Sequence, residues 1–551
     1  MLRLLVLCVV LFAMPLCAAT FDVTNLNDSG AGSLRQAILD HQSAGGTNTI
    51  DFTVSGTVTL ASNLPTFNTG SLAVNGHSSG STIDGAGSFR AFAADNALAL
   101  TLNGLTITNC SNFFGPGVYF PSNGSLTLTL NDCVFTGSAS PAGTATVFVQ
   151  HDVSGTATVS INRCTFSGGT HGAIILSTTV GSAVTIADTT ISGYTSTPLG
   201  GGMQMSGGTG SATLTNCTIS GNSATRGGGI YLDSGTSATL INCTVAGNTA
   251  SGSSGYGGGG ILLEDNTASL TLQNTIVAGN TAPNGPDIHL FGGGSVTSND
   301  GNLIGNNSGM TMSAQTNDQV GTSGSPIDPM LDTLANNGGP TQTRALQTGS
   351  PAINNGVSGG PSLDQRGITR DANPDIGAYE YIGTPQLQVT YNSTTQTSGA
   401  SNALTPDVQE GTGVPVTINL ANVAAAGAGD LTVTLPLTVS GLTNCTASVT
   451  TPPSATIAAG ANSDLVLTIT PSGVGAYSAT LTVVNSDSAN SPFVLTFTGN
   501  ATMATGGGSG GGGDDDESCS TGEGSGCAWL ALLGVIAIIG VRLRRRLVKF
   551  K

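Results

Sequence analysis

The sequence predicts an all-β protein: a right-handed parallel β-helix of about nine or ten coils over residues 46–335, followed by a β-sandwich over residues 385–503. Three observations carry this. Glycine supplies 81 of 551 residues while charged residues are only 8%, against averages of about 7% and 25%, which suits β-structure with many turns and excludes an ordinary charged globular domain. A segment of roughly 28 residues recurs through the middle of the chain. Beyond residue 385 the recurrence stops and apolar residues alternate with polar ones in DLTVTLPLTV, DLVLTITP and SATLTVV, the pattern of half-buried strands.

Taken in chain order, residues 1–19 carry one arginine, an apolar run from Leu4 to Leu16 and the small residues Cys17-Ala18-Ala19, the order of a secretory signal cut after Ala19. Cys17 raises a lipid-anchor alternative, which Met14-Pro15-Leu16 disfavours because small residues are missing before the cysteine. Residues 20–45 form an N-terminal cap. There the turn-forming run Asn27-Asp28-Ser29-Gly30 leads into a short helix that Ser33 can N-cap.

The repeat aligns Leu105, Cys133, Cys164, Thr189, Cys217, Cys243 and Thr275 in one column, at spacings of 28, 31, 25, 28, 26 and 32 residues. Two places later stand Ile107, Phe135, Phe166, Ile191, Ile219, Val245 and Val277. These are inward strand positions, and the glycines four places after the column, Gly137 to Gly279, mark turns that need positive φ. A second strand in each repeat offers inward pairs such as Ile174/Leu176, Met203/Met205 and Ile230/Leu232. One such unit cannot bury a face alone, but a parallel stack can. The column cysteines then read as small core residues; disulfides between neighbouring coils are the alternative, disfavoured because stacked side chains project alike. No Cys/His pattern suggests zinc.

Residues 336–384 close the solenoid, with Asp364, Arg366 and Arg370 beside Asp375 forming an ion-pair cap. Here resemblance adds to the reading. VTNLNDSGAGSLRQAIL resembles the entry motif of bacterial surface β-helix proteins, and GGPTQTRALQTGSPAINNG with LDQRGITR and DIGAYEY resembles the choice-of-anchor Q region that ends such solenoids. Within residues 385–503, IAAGANSDLVLTITPSGVGAYSATLTVVNSDSANSPFVLTFTGNA resembles a choice-of-anchor D module, which implies an Ig-like sandwich serving as a stalk. A Gly/Ser/acidic linker (504–526) leads to a tail (527–551) of Cys527, an apolar run from Ala528 to Val541 and an arginine cluster. This resembles the C-terminal sorting signals of Gram-negative surface proteins, most closely the cysteine-containing kind of myxobacteria. The resemblance implies processing at Cys527 by envelope sorting machinery and display at the cell surface or outer membrane, or secretion after cleavage. A permanent single-pass anchor is the alternative, so membrane enters only through this tail.

Function is bounded first by charge. Both lysines and five of the twelve arginines lie at the two extreme ends, leaving seven arginines against 31 acidic residues, which excludes nucleic acid as a partner and argues against acidic polysaccharides. Asp233 and Glu264 fall at equivalent outward positions of adjacent coils, about 5 Å apart, the separation of a retaining glycosidase pair. Tyr231 and His289 share that face, with Tyr119 and Phe148 several coils away, as sugar-stacking groups. Asp233, Glu264 and Asp265 are weak candidates for Ca²⁺; no other cofactor is implied. Because small polar residues flank both acids, the expectation is that they are solvated and ionised. The leading expectation is therefore a non-catalytic structural or adhesin-like surface protein binding neutral glycans, with a polysaccharide hydrolase using Asp233 and Glu264 as the alternative.

Overall fold

The computed structural model describes residues 18–504 apart from 96–97, 123, 142, 152–154, 178–180, 209, 253–254 and 425–427. The signal segment up to Cys17, nearly all of the linker and the Cys527 tail lie outside the described residues. Among the described residues no helix is long and apolar enough to cross a membrane.

Three parallel sheets build a right-handed β-helix. The first runs through eleven strands, from Thr20–Val23 through Ala99–Asn103 and Ala183–Ala187 to Ser295–Ser298; the second also has eleven and the third eight. Strand alternation explains why the stack holds. Leu126–Asn131 reads buried and half-buried in strict turn, and its partners Ala99–Asn103 and Ala157–Asn162 align so that Leu102, Leu130 and Ile161 fall in one buried ladder. A slip of one residue would turn every such ladder outward.

The corner between first and second sheets is a single residue in the left-handed region: Gly104, Asp132, Arg163, Asp188, Asn216, Asn242 and Asn274 have φ between 47° and 63°. Asn and Asp tolerate that conformation better than other side chains. The next residue swings inward, so the column from Leu105 to Thr275 is buried. Its cysteines are free. Cys133, Cys164, Cys217 and Cys243 direct their thiols at the carbonyls of Leu102, Leu130, Ile186 and Leu214, at 3.4 to 3.5 Å. The glycines at the next corner, from Gly137 to Gly279, have φ between 61° and 73°, as their recurrence implied.

Behind this second corner lies a buried asparagine ladder. Asn222, Asn248 and Asn280 each accept from the preceding coil's backbone and donate to a backbone carbonyl, and the ladder ends where Asp287 accepts from Asn280. Burial pushes the Asp287 carboxyl up to about 6.

At the entry, helix Leu34–Ala44 is capped by Ser33, whose hydroxyl accepts from the Gln36 amide at 3.2 Å, and it buries Leu34, Ala37, Ile38 and His41. At the far end Met310, Met312 and Val320 pack on the solenoid core. Residues 336–384, expected as a cap, instead run back along the outer side of the second sheet. Gln365 bonds Thr218 at 2.6 Å, Thr341 bonds the Asp188 carbonyl at 2.8 Å and Ala378 bonds Thr244 at 3.0 Å. The expected ions are present with one change of partner. Arg366 pairs with Asp364 at 2.7 Å, but Arg370 pairs with Glu380 at 2.9 Å and reaches only the carbonyl of Asp375. Asp375 accepts from the Asn354 and Tyr381 amides, and burial pushes its carboxyl up to about 7.

Residues 387–502 form two five-stranded sheets, antiparallel except where Ala400–Ala403 and Val408–Gln409 join Phe493–Thr502 in parallel. Their inner faces enclose Ile418, Leu420, Leu465, Leu467, Leu481 and Phe497.

Candidate functional site

The outer face of the third sheet is the place where large side chains gather. Register puts Ala93, Tyr119, Phe148, Ile175, Gln204, Tyr231, Leu262 and His289 in a single outward ladder. At about 4.8 Å per coil, Tyr119 and His289 stand six coils, roughly 29 Å, apart.

At the N-terminal end the ladder becomes an aromatic platform. Phe114, carried on the loop before the strand, stacks on Tyr119 at 5.7 Å, and Tyr119 stacks on Phe148 at 5.7 Å. The Arg90 guanidinium sits over the Tyr119 ring at 4.9 Å, a favourable cation–π arrangement. Phe113 and Phe114 are 63% and 44% exposed, so apolar ring surface is presented to solvent. Neither was found from the sequence, although adjacent phenylalanines before Gly115-Pro116-Gly117 are conspicuous where aromatics are only 5% of residues.

At the C-terminal end the expected residues do come together, with partners that change their meaning. Asp233 and Glu264 stand in register on adjacent coils, since Leu232 pairs with Leu263. Glu264 is not solvated: Arg226 holds it in an ion pair at 3.2 Å, and its side chain is 19% exposed. Burial pushes the Glu264 carboxyl up, against the downward pull of Arg226 and of nearby Tyr231. Asp233 is half-buried and accepts from the Ser234 amide of its own turn at 2.8 Å. Tyr231, expected as an open stacking group, is 3% exposed, and burial raises its phenol above the ordinary range.

The exposed ring here is a different one, Phe291, and it closes a stack of half-buried groups. Tyr256 lies under the Arg226 guanidinium at 3.2 Å and stacks on Phe291 at 4.6 Å, and Phe291 is 41% exposed. His289 meets Phe291 edge-on at 6.2 Å, and burial lowers the affinity of its ring for a proton. Phe291 was legible in principle, being two places after His289 on the same strand face. Tyr256 and Arg226 come from loops whose return over the sheet has no local signature.

Calcium does not fit. Asp265 spends its carboxylate on its own turn, accepting from the Thr267 hydroxyl at 2.6 Å and the Thr267 and Ala268 amides, and the Thr267 bond leads in holding its carboxyl low. Among the described residues no three carboxylate, imidazole or thiol groups converge as a metal site.

Among known proteins, no curated sequence matches this chain. Among solved structures, the ASH / PapD-like domain 7 of human CEP192 is similar over 24% of this chain and 98% of its own, at 12% identity and a TM-score of 0.15, a likeness too slight to support any argument. Residues 148–323 match the family described as the right handed beta helix region, in agreement with the parallel register of the three sheets.

Proposed function

We propose that this chain is an exported, surface-displayed β-helix protein of adhesive or structural type that binds neutral glycans along the outer face of its third sheet. The observation that carries the reading is the open platform of Phe114, Tyr119 and Phe148. Sugar rings present apolar C–H faces that stack on aromatic rings, and a platform spanning the two adjacent coils of Tyr119 and Phe148 suits a chain lying along the solenoid axis. The acidic, lysine-free body repels polyanions, which restricts the ligand to neutral sugars. Signal cleavage after Ala19, the Ig-like module as stalk and processing at Cys527 by the sorting machinery complete the proposal. Neutral glycan-array binding by the full chain tests it. Phe114→Ala/Phe148→Ala should lose at least tenfold in affinity, and unchanged binding would sink the assignment.

A second reading rests on one observation. Asp233 and Glu264 follow the paired Leu232 and Leu263 on adjacent coils, so two carboxylates stand side by side as paired-carboxylate hydrolysis requires, and burial pushes the Glu264 carboxyl up. Arg226 opposes it by stabilising ionised Glu264. Reducing-sugar release that disappears in Asp233→Asn/Glu264→Gln would establish the hydrolase.

A further inference from the structure

The outer face of the first sheet carries a regularity that neither reading uses. Its central outward column passes in register through eleven strands: Thr20, Thr49, Ala73, Thr101, Thr129, Ser160, Thr185, Thr213, Thr239, Thr271 and Thr297. Two residues back along the strands runs a parallel column of Thr47, Ser71, Ala99, Thr127, Thr158, Ala183, Ser211, Ser237, Ser269 and Ser295. None of these residues is buried and none is charged. Among the described residues their side-chain hydrogen bonds are few: Ser160 bonds Asn162 and Thr185, and Thr185 reaches the Val159 carbonyl.

A face that only needs solvation is satisfied by any polar side chain, and long charged ones are the usual choice. Here nine of eleven central positions are threonine and the neighbouring column holds only threonine, serine and alanine. The second sheet begins in the same way with Thr57, Thr82 and Thr106, but Val134 interrupts the run. Farther on, Thr190, Thr218 and Thr244 are buried under the returning segment 336–384. Only the first sheet keeps an open array.

We infer that this face adsorbs to ice. Strand spacing sets its hydroxyl and methyl groups about 4.8 Å apart along the axis, and two residues of strand rise set the columns about 6.7 Å apart. Over ten steps the array is about 48 Å long. The axial spacing is near one water repeat on a prism face of hexagonal ice, and the two columns stand somewhat closer together than the other repeat of that face. Threonine, at nine of the eleven central positions, is restricted at χ1 by its branched Cβ, so the central column is held at little ordering cost at adsorption, while serine and alanine at seven of the ten flanking positions keep that column low and small. The hydroxyls take the place of lattice waters while the methyls lie between them. Charged groups, which would keep their own hydration shells, stand outside the two columns: Asp22 and Asp51 beside the first two strands, and Asp132, Arg163 and Asp188 at the corner that ends the sheet, where Arg163 and Asp132 neutralise each other in an ion pair at 2.7 Å. Each such bond replaces one already made to liquid water, so its net gain is small and a rigid, long array is what makes adsorption persist.

The test uses the full chain. Partition into a slowly grown ice front and inhibition of ice recrystallisation are measured for the wild type, for Thr185→Tyr/Thr213→Tyr in the centre of the array, and for Gln204→Tyr on the third sheet. The wild type and the Gln204 variant should be enriched in the ice, and the double variant should fall at least tenfold toward the level of an inert protein. All three should keep the same circular dichroism, because tyrosine is tolerated on an exposed strand face. A wild type excluded from ice overturns the inference. So does equal loss in the Gln204 variant, or adsorption to crystalline cellulose that the double variant abolishes without any ice enrichment.

Discussion

Ile219 tests the stacked core most directly. It is fully buried, lies in register between Ile191 of the coil before and Val245 of the coil after, and its Cγ2 would stand 3.2 Å from a Cβ placed on Gly202. Truncation to alanine removes three carbons from a wall that cannot close in, because the strands on both sides are held by their own hydrogen-bond ladders. The residual cavity therefore persists, and the loss belongs in the upper part of the usual range, about 3–5 kcal/mol, with Ile219→Val costing about 1 kcal/mol. Ile219→Asp should prevent this part of the solenoid from folding, since it buries an unpaired carboxylate. Urea unfolding followed by circular dichroism measures all three. A loss below about 1 kcal/mol for Ile219→Ala would mean the position is not in a continuous packed column.

Asn248→Ala breaks the buried amide ladder, removing the acceptor of the Asn222 backbone amide and one donor to the Ile219 carbonyl; a loss of about 1–3 kcal/mol is expected in the same assay, and no loss would show the ladder to be dispensable. The raised carboxyls of Asp375, about 7, and Asp287, about 6, bind protons in the folded chain that the unfolded chain releases near 4. Stability from these two groups is thus full below about pH 4 and declines as pH rises from about 4 to 7. Melting temperatures should fall across that window, and Asp375→Asn should flatten the decline; an identical slope in the variant would contradict the assignment. Chelation of divalent cations should leave the melting temperature unchanged, because the Asp265 turn is satisfied by its own hydrogen bonds. Surface material should end near Cys527, with Cys527→Ala accumulating the uncleaved chain; Lys551 found by intact-mass measurement on the mature protein would establish the permanent anchor instead.

The chain's own periodicity determined the solenoid. A column recurring every 25 to 32 residues, with glycine four places on, specifies parallel register because inward and outward residues alternate with period two and no other stacking buries all the columns. Which residues face outward in the third sheet followed from the same rule, so Asp233, Glu264 and His289 were legible as neighbours. Their chemistry was not. Glu264 is paired with Arg226, 38 positions earlier in the chain, Tyr256 reaches the site from a glycine-rich loop, and Tyr231 is covered although its strand position points to solvent. Loops of irregular length carry no periodicity, so their return over a sheet is settled by packing alone. The same holds for residues 336–384: their apolar and ionic residues announced a buried segment, but whether it closes the end of the solenoid or lies along its side depends on contacts such as Gln365 with Thr218, 147 residues apart. Local pattern fixes which face of a strand is inside, and only the folded chain decides what comes to cover the face left outside.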